Sequence, residues 1–496
     1  MAPRKGTILI RAYSRTLPSL KPESVALIVL VLGVMMAGID TTIIVLAMPV
    51  MMRSLGVDLS TITWVLLLYV IAVTMLSTQF GRLGDIRGRA KMFDAGMLVF
   101  AGGSALAGAS SSAYQLLVFR GVQAVGGAMM LSNSPALLSD YFVHERRGYA
   151  FGWTTFGWNV GAVLGIVLGG FLTTYLSWRW DFYVTVPLGV IGFFLGVRYL
   201  RESKVTGDKG MDIPGSALLG ISLTLISVGA LDFPAEGLSL ITVTLLALGF
   251  FTFAGFLLLE RRQKDPVLDV SLLRIKLYAG STVAASLQFL ANYSVLFLLT
   301  MYLQGVRGLD PFTASLYLVP GYLLGSLMGS VGGRLADVRD PRVIATLGLA
   351  LQMVSYLVYY FLLTPSVSLL LVVGSTIVSS VGASLFFSSN GKLVMQEIPP
   401  SKYGMASGTF RTMNNMGMIC SFAVAIIVAA SAIPKALAFE IFAGTSSLTE
   451  SLMGPFVLSL REAFVVSSAI MGLAVVLSWV RDTKKLEAAP RQATDA

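Results

Sequence analysis

Residues 81–91 read Gly-Arg-Leu-Gly-Asp-Ile-Arg-Gly-Arg-Ala-Lys, and residues 333–342 read Gly-Arg-Leu-Ala-Asp-Val-Arg-Asp-Pro-Arg. Both stretches contain Gly-Arg-Leu, a small residue, Asp, an aliphatic residue and Arg, and both lie between long apolar segments. A similar sequence that occurs twice in one chain indicates an internal repeat. The sequence therefore predicts two halves of similar plan.

Lipid is predicted to be the solvent around most of this chain. Hydrophobic residues make up 55% of the 496 residues and charged residues 12%, and the mean hydropathy is +0.78. Soluble domains are roughly 45–50% apolar and about 25% charged. A membrane-spanning helix needs about 20 apolar residues. Fourteen segments qualify, namely Ser24–Pro49, Ile62–Phe80, Met92–Ser112, Tyr114–Leu138, Gly148–Tyr175, Phe182–Val197, Pro214–Leu231, Leu238–Leu259, Tyr278–Gln304, Phe312–Gly332, Val343–Leu363, Ser366–Asn390, Gly404–Ala432 and Ala463–Val480.

These segments are predicted to be helices, because lipid tolerates only helices or closed barrels and no ten-residue alternating pattern is present. The fold class is thus an all-α polytopic membrane protein. The repeated loop follows the second and the tenth segment, so segments seven and eight form an inserted pair between two sets of six.

The basic residues predict the orientation. Most of the 36 Lys and Arg residues fall in loops on one side, which is then cytoplasmic and holds both termini. The net charge of +10 follows from this topology, and no nucleic-acid partner is needed to explain it. The stretch from Ile433 to Glu462 is predicted to be the one long loop on the outside. The basic residues predicted outside are Arg53, Arg179, Arg307, Lys435 and Arg461.

Several classes of chemistry are unsupported by the composition. The chain has one cysteine, Cys420, and one histidine, His144, so neither an intrachain disulfide nor a metal site with several histidines is expected. No phosphate-binding loop sequence occurs, and no set of nucleophile, base and orienting group lies within the spans. We therefore expect no enzyme, no metal and no cofactor.

Four motifs, in order on the predicted spans, resemble the fourteen-spanning drug:proton antiporter family of the major facilitator superfamily. The 81–91 loop is similar to the superfamily's signature loop, and residues 117–127 are similar to its Arg-containing motif in span four. Residues 39–49 are similar to the family's first-helix motif, and residues 161–170 keep the glycines of the antiporter motif. Ile166 stands where that motif has proline, which leaves the direction of transport open.

The resemblance implies a major facilitator fold of two six-helix bundles and two inserted helices. The corresponding regions are 1–197, 198–277 and 278–496. It implies a monomeric plasma-membrane transporter that is driven by the proton gradient and exports lipophilic, neutral or cationic compounds. A proton-coupled transporter of one fatty acid, lipid or metabolite and a non-transporting membrane sensor remain alternatives.

Asp40 and Arg120 are the candidates for proton coupling. Asp40 lies nine residues before Pro49, which is about 14 Å along a helix and therefore near the bilayer midplane. It is the one carboxylate that lies deep in a predicted span, and ionisable residues there are functional candidates. The alternative is a permanent ion pair with Arg120 that only holds spans one and four together. The resemblance gives the matching arginine a proton-coupling role.

Three further sets of residues are candidates for gating, helix packing and substrate contact. The predicted cytoplasmic gate comprises Gly81, Arg82, Gly84, Asp85, Gly88, Arg89 and Asp337, although cations at this position also serve topology alone. The antiporter-like glycines are Gly161, Gly165, Gly169 and Gly170, which allow close helix packing. Candidates for substrate contact are Asn133, Gln288, Asn292, Tyr293, Arg411, Asn414 and Asn415. Amides in membrane helices also simply join neighbouring helices, and Arg411 could instead reach toward the membrane surface.

Overall fold

A computed structural model of the protein describes residues 22–142, 144–202, 211–236, 239–263, 266–398, 403–431 and 450–480. Within these ranges the chain forms fourteen helices of 15 residues or more and no strand. They are α1 Pro22–Leu55, α2 Leu59–Arg87, α3 Arg89–Gly108, α4 Ala113–Tyr141, α5 His144–Tyr175, α6 Thr185–Tyr199, α7 Ile213–Glu236, α8 Leu240–Glu260, α9 Lys276–Asn292, α10 Pro311–Val338, α11 Pro341–Leu362, α12 Leu369–Gln396, α13 Tyr403–Ser431 and α14 Glu450–Val480.

The predicted all-helical fold is confirmed, since each of the fourteen predicted segments overlaps one of these helices. Eleven helices in the described part of the chain are long and apolar enough to cross a membrane. The other three are α3, α4 and α13, and two of these carry Arg120 and Arg411 within their length.

Two predicted segments differ from the observed helices. The predicted outside loop of residues 433–462 is wrong in its last part, because α14 already begins at Glu450. Phe456, Val457 and Leu460 are buried in this extension, so packing against the bundle stabilises the added turns. Residues 433–449 of that loop lie outside the described residues.

The ninth predicted span is not one regular helix. α9 ends at Asn292, a short helix continues over Val295–Thr300, and a π-helical turn follows over Met301–Val306. The backbone N–H of Ser294 at the break donates to the hydroxyl of Ser421 on α13, 3.0 Å away. A side chain of a neighbouring helix therefore satisfies a backbone donor that the break leaves free.

Short polar residues and glycine begin and end several helices. The side chains of Asp58, Ser112 and Asp310 accept hydrogen bonds from backbone N–H groups in the first turns of α2, α4 and α10. Gly88 separates α2 from α3 with a φ of +112°, a conformation that side chains with a Cβ rarely adopt. We call the end of the bundle at this turn the Gly88 end, and the opposite end, where α5 finishes, the Thr174 end.

The helices pack as two groups. In the first group, α1 packs against α5, and α4 packs against α2 and α3. In the second group, α12 packs against α10 and α11, and α14 packs against α11. The inserted helices α7 and α8 pack against each other, and α7 also contacts both α2 and α13. The inserted pair thus touches both groups.

Candidate functional site

Asp40 on α1 and Arg120 on α4 form a buried ion pair in the first group of helices. Each residue is 1% exposed. One guanidinium nitrogen of Arg120, Nη1, donates to both carboxylate oxygens of Asp40, at 2.8 and 2.9 Å. The structure therefore brings the two predicted coupling residues together as direct partners.

A polar network extends from this pair. Gln123, one turn after Arg120, donates through Nε2 to Asp40 Oδ1 at 2.8 Å and to Ser104 Oγ at 2.7 Å. Its Oε1 accepts a further hydrogen bond from Arg120. Thr185 on α6 donates to the same Ser104 hydroxyl at 3.1 Å. Sequence reasoning missed Gln123, although its position three residues after Arg120 places it on the same helix face.

Backbone and ring contacts hold the guanidinium of Arg120 in place. Its Nε donates to the carbonyl oxygen of Val65 on α2 at 3.0 Å. The Arg120 Cζ lies 4.6 Å from the ring centroid of Tyr69 and 5.8 Å from that of Phe182. Since a guanidinium over an aromatic face is attracted by the ring quadrupole, these rings stabilise the cation in a dry environment.

The antiporter-like glycines of α5 set the position of the helix that carries Asp40. An added Cβ at Gly161, Gly165 or Gly169 would lie 2.3 to 2.8 Å from successive carbonyl oxygens of α1, those of Met35, Ile39 and Ile43. Only a residue without a Cβ lets the two backbones approach so closely. Gly170 differs, because its Cβ would meet Pro311 and Ser315 of α10 in the second group.

Ile166 stands in this glycine stretch and is fully buried. α5 runs through it as one helix from His144 to Tyr175. The close contact with α1 therefore forms at the glycines without a proline in the helix.

A cavity lies beside the ion pair between the two groups of helices, with a volume of about 80 Å³. Its polar wall comprises Thr41, Tyr69, Arg120, Tyr293, Arg411 and Asn415, and its apolar wall comprises Leu66, Val70, Val73, Leu131, Trp158 and Met418. Drug-sized ligands occupy roughly 300–1,000 Å³, so the cavity in this conformation is too small for one.

Three of the predicted substrate residues line this cavity, namely Tyr293, Arg411 and Asn415. Tyr69 and Trp158 also line it but were not predicted, because an aromatic residue in an apolar span carries no signal of its direction. The Nη1 of Arg411 donates to the carbonyl oxygen of Leu131 on α4 at 2.7 Å. The arginine thus faces the first group of helices across the cavity and does not reach toward the membrane surface.

The other four predicted substrate residues do not line the cavity. Asn133 donates to the carbonyl oxygens of Phe80 and Met129, and Gln288 donates to Gln352 at 2.9 Å. Asn292 accepts a hydrogen bond from the hydroxyl of Tyr356. Asn414 is buried, and its Oδ1 has no partner among the described residues. The first three amides join neighbouring helices.

The 81–91 loop forms a polar cluster at the Gly88 end. Arg89 pairs with Asp85 at 2.7 Å and with Asp140 on α4 at 3.0 Å. Burial lowers the pKa of Arg89, but hydrogen bonds to these two carboxylates outweigh it and raise the pKa above its usual value. Arg82 donates to the carbonyl oxygen of Pro266, and Gly84 packs on Asn133. The ion pairs of Arg89 therefore tie α2, α3 and α4 together.

The remaining residues of the predicted gate are Gly81, Gly88 and Asp337. A Cβ at Gly81 would make an ordinary contact with Ser132, whereas a Cβ at Gly88 would lie 2.3 Å from the carboxylate of Glu202. Glu202 accepts the backbone N–H of Lys91 at 2.8 Å. Asp337 lies in the last turn of α10, and its side chain lies outside the described residues.

A family model decides the identity of the chain. The model of the Major Facilitator Superfamily matches residues 30–422, which is most of the sequence. The chain belongs to the major facilitator superfamily.

Two curated relatives and one solved structure agree with this membership. The riboflavin transporter RibZ of Clostridioides difficile is 26% identical over 94% of this chain and 99% of its own length. Multidrug resistance protein 3 of Bacillus subtilis is 27% identical over 78% of this chain and 76% of its own. An inward-facing bacterial homologue of the human lysosomal transporter Spinster shares the fold, with a TM-score of 0.65, 16% identity and coverage of 96% and 100% of the two chains.

The facilitator chain is thus a multi-pass membrane transporter of small molecules and not an enzyme. Transporters of this superfamily alternate access between two halves, and the two groups of helices are called the halves from here on. In this conformation the halves meet at the Thr174 end. The backbone N–H of Phe312 on α10 donates to the hydroxyl of Thr174 on α5 at 3.0 Å, and the ring of Phe312 packs on Phe171 and Tyr175.

Asp310 completes this contact between the halves of the facilitator. Its Oδ1 accepts the hydroxyl of Thr174 at 3.3 Å, and its carboxylate also caps α10. Slight burial raises the pKa of Asp310, but the hydrogen bonds from Thr313, Phe312 and Thr174 outweigh it and lower the pKa below its usual value. The acid therefore stays ionised at neutral pH and keeps its acceptors available.

Proposed function

We propose that the protein is a fourteen-spanning drug:proton antiporter of the plasma membrane. It exports lipophilic small molecules in exchange for protons, without a cofactor. All fourteen helices cross the membrane, and both termini are cytoplasmic, so that the Gly88 end faces the cytoplasm and the Thr174 end faces outside. The even distribution of basic residues over the loops of one side supports this orientation.

The observation that carries the proposal is the buried Asp40–Arg120 pair beside the cavity. Arg120 lines the cavity wall, and Asp40 lies directly behind it. Protonation of Asp40 would remove the negative charge that balances this guanidinium, and the charge of the cavity wall would change by one unit. A single proton thereby alters the site where a substrate binds, which is what coupling requires.

The contacts between the halves support alternating access. The halves meet through Thr174, Asp310 and Phe312 at the Thr174 end. Near the Gly88 end, Trp153 and Phe156 of α5 are 42% and 48% exposed, and Leu327 of α10 is 56% exposed. The side-chain contacts described between α5 and α10 thus lie at the Thr174 end, and these three apolar side chains near the Gly88 end are not buried between the two helices. A rocking motion about the cavity would exchange these two arrangements.

A narrow physiological substrate is the second candidate function. It is favoured by the likeness to RibZ over nearly the whole of both chains. A transporter of one metabolite and a multidrug exporter share the same coupling residues, so only the range of accepted compounds separates them.

The experiment uses the purified protein in liposomes, with a pH-sensitive dye inside and one of three probes added. The probes share one naphthalene scaffold and differ in charge: dansyl acid is an anion, dansyl amide is neutral and dansylcadaverine is a cation. We expect at least one probe to drive proton movement with the native protein. With Asp40→Asn the proton movement should disappear while the probe still binds.

Asp58→Asn provides the matched control, because Asp58 only caps α2 and asparagine caps helices equally well. It should retain full proton movement. If no probe moves protons, or if Asp40→Asn couples as well as the native protein, exchange through Asp40 is wrong. Strict response to one metabolite from a wider panel would replace the multidrug function with the narrow one.

A further inference from the structure

The wall of the cavity carries an unbalanced positive charge. Two arginines and no acidic residue line it. The charge of Arg120 is balanced by Asp40, whose two carboxylate oxygens both accept from it. Arg411 has no such partner, because none of the ion pairs in the described part of the chain includes it.

Within the described part of the chain, the hydrogen bonds of Arg411 do not balance its charge. A guanidinium has five N–H donors, and the one hydrogen bond of Arg411 to a described residue is that from Nη1 to the Leu131 carbonyl oxygen. A neutral carbonyl satisfies one donor but does not balance the charge. An uncompensated cation inside a membrane protein is costly, so an anionic group bound beside Arg411 would stabilise it.

Other residues of the wall can contribute to binding. Asn415, one turn after Arg411 on α13, lies on the same wall. The hydroxyl of Tyr69 is buried against Gly127 of α4, so the ring of Tyr69 is its contribution to the wall. A cation and an amide are groups that bind a carboxylate or a sulfonate. Trp158 and Tyr293 add aromatic surface for an apolar body.

We propose that the cavity, widened in another conformation of the transport cycle, binds lipophilic organic anions, with Arg411 as the counter-ion of one carboxylate, sulfonate or phosphate group. This proposal rests on the proposed function, because it takes the cavity to be the transport site. This ligand class differs from the neutral or cationic compounds that the sequence predicts. In the structure the carboxylate of Asp40, which could balance a cation, is paired with Arg120.

The anion and the proton occupy different sites. Arg411 belongs to α13 in the second half, whereas Asp40 belongs to α1 in the first. The two ligands therefore do not displace one another directly, and their exchange depends on the alternation of the halves. An outgoing anion and an incoming proton both move positive charge inward. The membrane potential then drives both steps, whereas one-for-one exchange of a cation and a proton moves no net charge.

The first test measures the Kd of the same three dansyl probes for the purified protein by fluorescence. We expect dansyl acid to bind more tightly than dansyl amide, and dansylcadaverine to bind most weakly. Arg411→Gln removes the charge but keeps a donor for the Leu131 carbonyl oxygen. It should weaken binding of dansyl acid by about ten- to a hundredfold, as expected for the loss of one charge-assisted hydrogen bond. Binding of the neutral amide should change less than about twofold.

Two further variants separate charge recognition from a structural role. Arg411→Lys keeps the positive charge and should retain most of the affinity for dansyl acid. Arg53→Gln removes an exposed arginine at the far end of α1 and should leave all three Kd values unchanged. If Arg411→Gln weakened the acid and the amide equally, Arg411 would be a structural link between α13 and α4, and the proposal would fail.

The binding order separates this proposal from the proposed function. Tighter binding of dansylcadaverine than of dansyl acid, or no binding of dansyl acid, overturns the anion site even if a probe drives proton movement. Selective binding of dansyl acid that depends on Arg411 supports the anion site even if no proton moves. In that second case the proposed exchange with protons is wrong, but the proposal that the site binds organic anions is supported.

Discussion

Nη1 of Arg120 on α4 contacts both carboxylate oxygens of Asp40 on α1, at 2.8 and 2.9 Å, with each side chain at most 2% exposed. The contact joins two buried helices through one charge of each sign. The same contact balances the charge of the cavity wall at Arg120. Under the proposed function, stability and coupling therefore depend on one pair of residues.

Loss of one partner of this pair should lower the free energy of unfolding more than loss of both. We expect Asp40→Asn to lower the free energy of unfolding by about 3–5 kcal/mol, because Arg120 would keep a buried charge without a partner. The double variant Asp40→Asn with Arg120→Gln removes both charges and should recover a large part of this loss. Thermal unfolding of the purified protein in detergent measures both. Equal destabilisation by the single and the double variant would show that the charges are not coupled.

Because α5 packs closely on α1, one added methyl group at this contact should lower both the stability and the proton movement of the protein. Gly165→Ala would place a Cβ 2.5 Å from the carbonyl oxygen of Ile39, the residue before Asp40. We expect a cost of about 1–3 kcal/mol in the free energy of unfolding and a loss of proton coupling as α1 is displaced. Gly121→Ala on α4 is the control, since nothing lies within 4 Å of its Cβ position. If both variants behaved alike in thermal unfolding and proton movement, the contact of Gly165 with α1 would contribute to neither stability nor coupling.

Asp310 should stabilise the closed Thr174 end at all pH values above the acidic range. Asp310→Ala removes a helix cap and the acceptor for Thr174, so we expect a loss of about 1 kcal/mol in stability. The folded-state pKa of Asp310 lies below its usual value, so its ionised form stabilises the fold above about pH 4. This contribution is lost as the pH falls through the lowered pKa. Unfolding of native and variant protein should therefore differ by a constant amount from pH 5 to 8 and converge only below pH 4. Convergence near neutral pH would contradict the assignment.

The attachment of the inserted helices to α2 depends on Gln79. Its Nε2 donates to the carbonyl oxygen of Asp212 at 2.8 Å and to the hydroxyl of Ser216 at 2.7 Å. Gln79→Met keeps the volume but leaves these two acceptors unpaired, so we expect a loss of about 1–3 kcal/mol. Thr244→Val on α8 is the control, because the exposed Thr244 hydroxyl bonds only within its own helix. Equal unfolding temperatures for the two variants would show that Gln79 does not hold the pair.

The sequence was sufficient for the helices and for singling out Asp40 and Arg120, which the structure shows as a buried ion pair, but not for the cavity. Asp40 and Arg120 stand out because a charge within an apolar span has few explanations. Gln123 and Tyr69 carry no such signal, since amides and aromatic residues are common in membrane helices. Which face of α2 or α13 lines the cavity depends on how each packs against its neighbouring helices, and helices that are apolar on all sides do not encode their rotation.

The sequence also does not show which of the polar amides line the cavity. Asn133 and Gln288 are as polar as Asn415, but they bond to neighbouring helices, and Asn415 lines the cavity. The start of α14 was missed because Arg461 and Glu462 interrupt the apolar run. The structure shows that the helix continues past these charges to Glu450, since a donor such as Arg461 can bond to backbone carbonyl oxygens of α11.

The placement of α7 has a mechanical consequence. This helix touches α2 in one half and α13 in the other, whereas α5 and α10 have no helix of the inserted pair between them. Any motion that separates the halves must therefore shift α7 relative to α2 or to α13, or break its contact with one of them. The inserted pair thus links the two halves along the flank of α2 and α13, whereas on the opposite flank α5 and α10 contact each other directly and can separate without displacing a third helix.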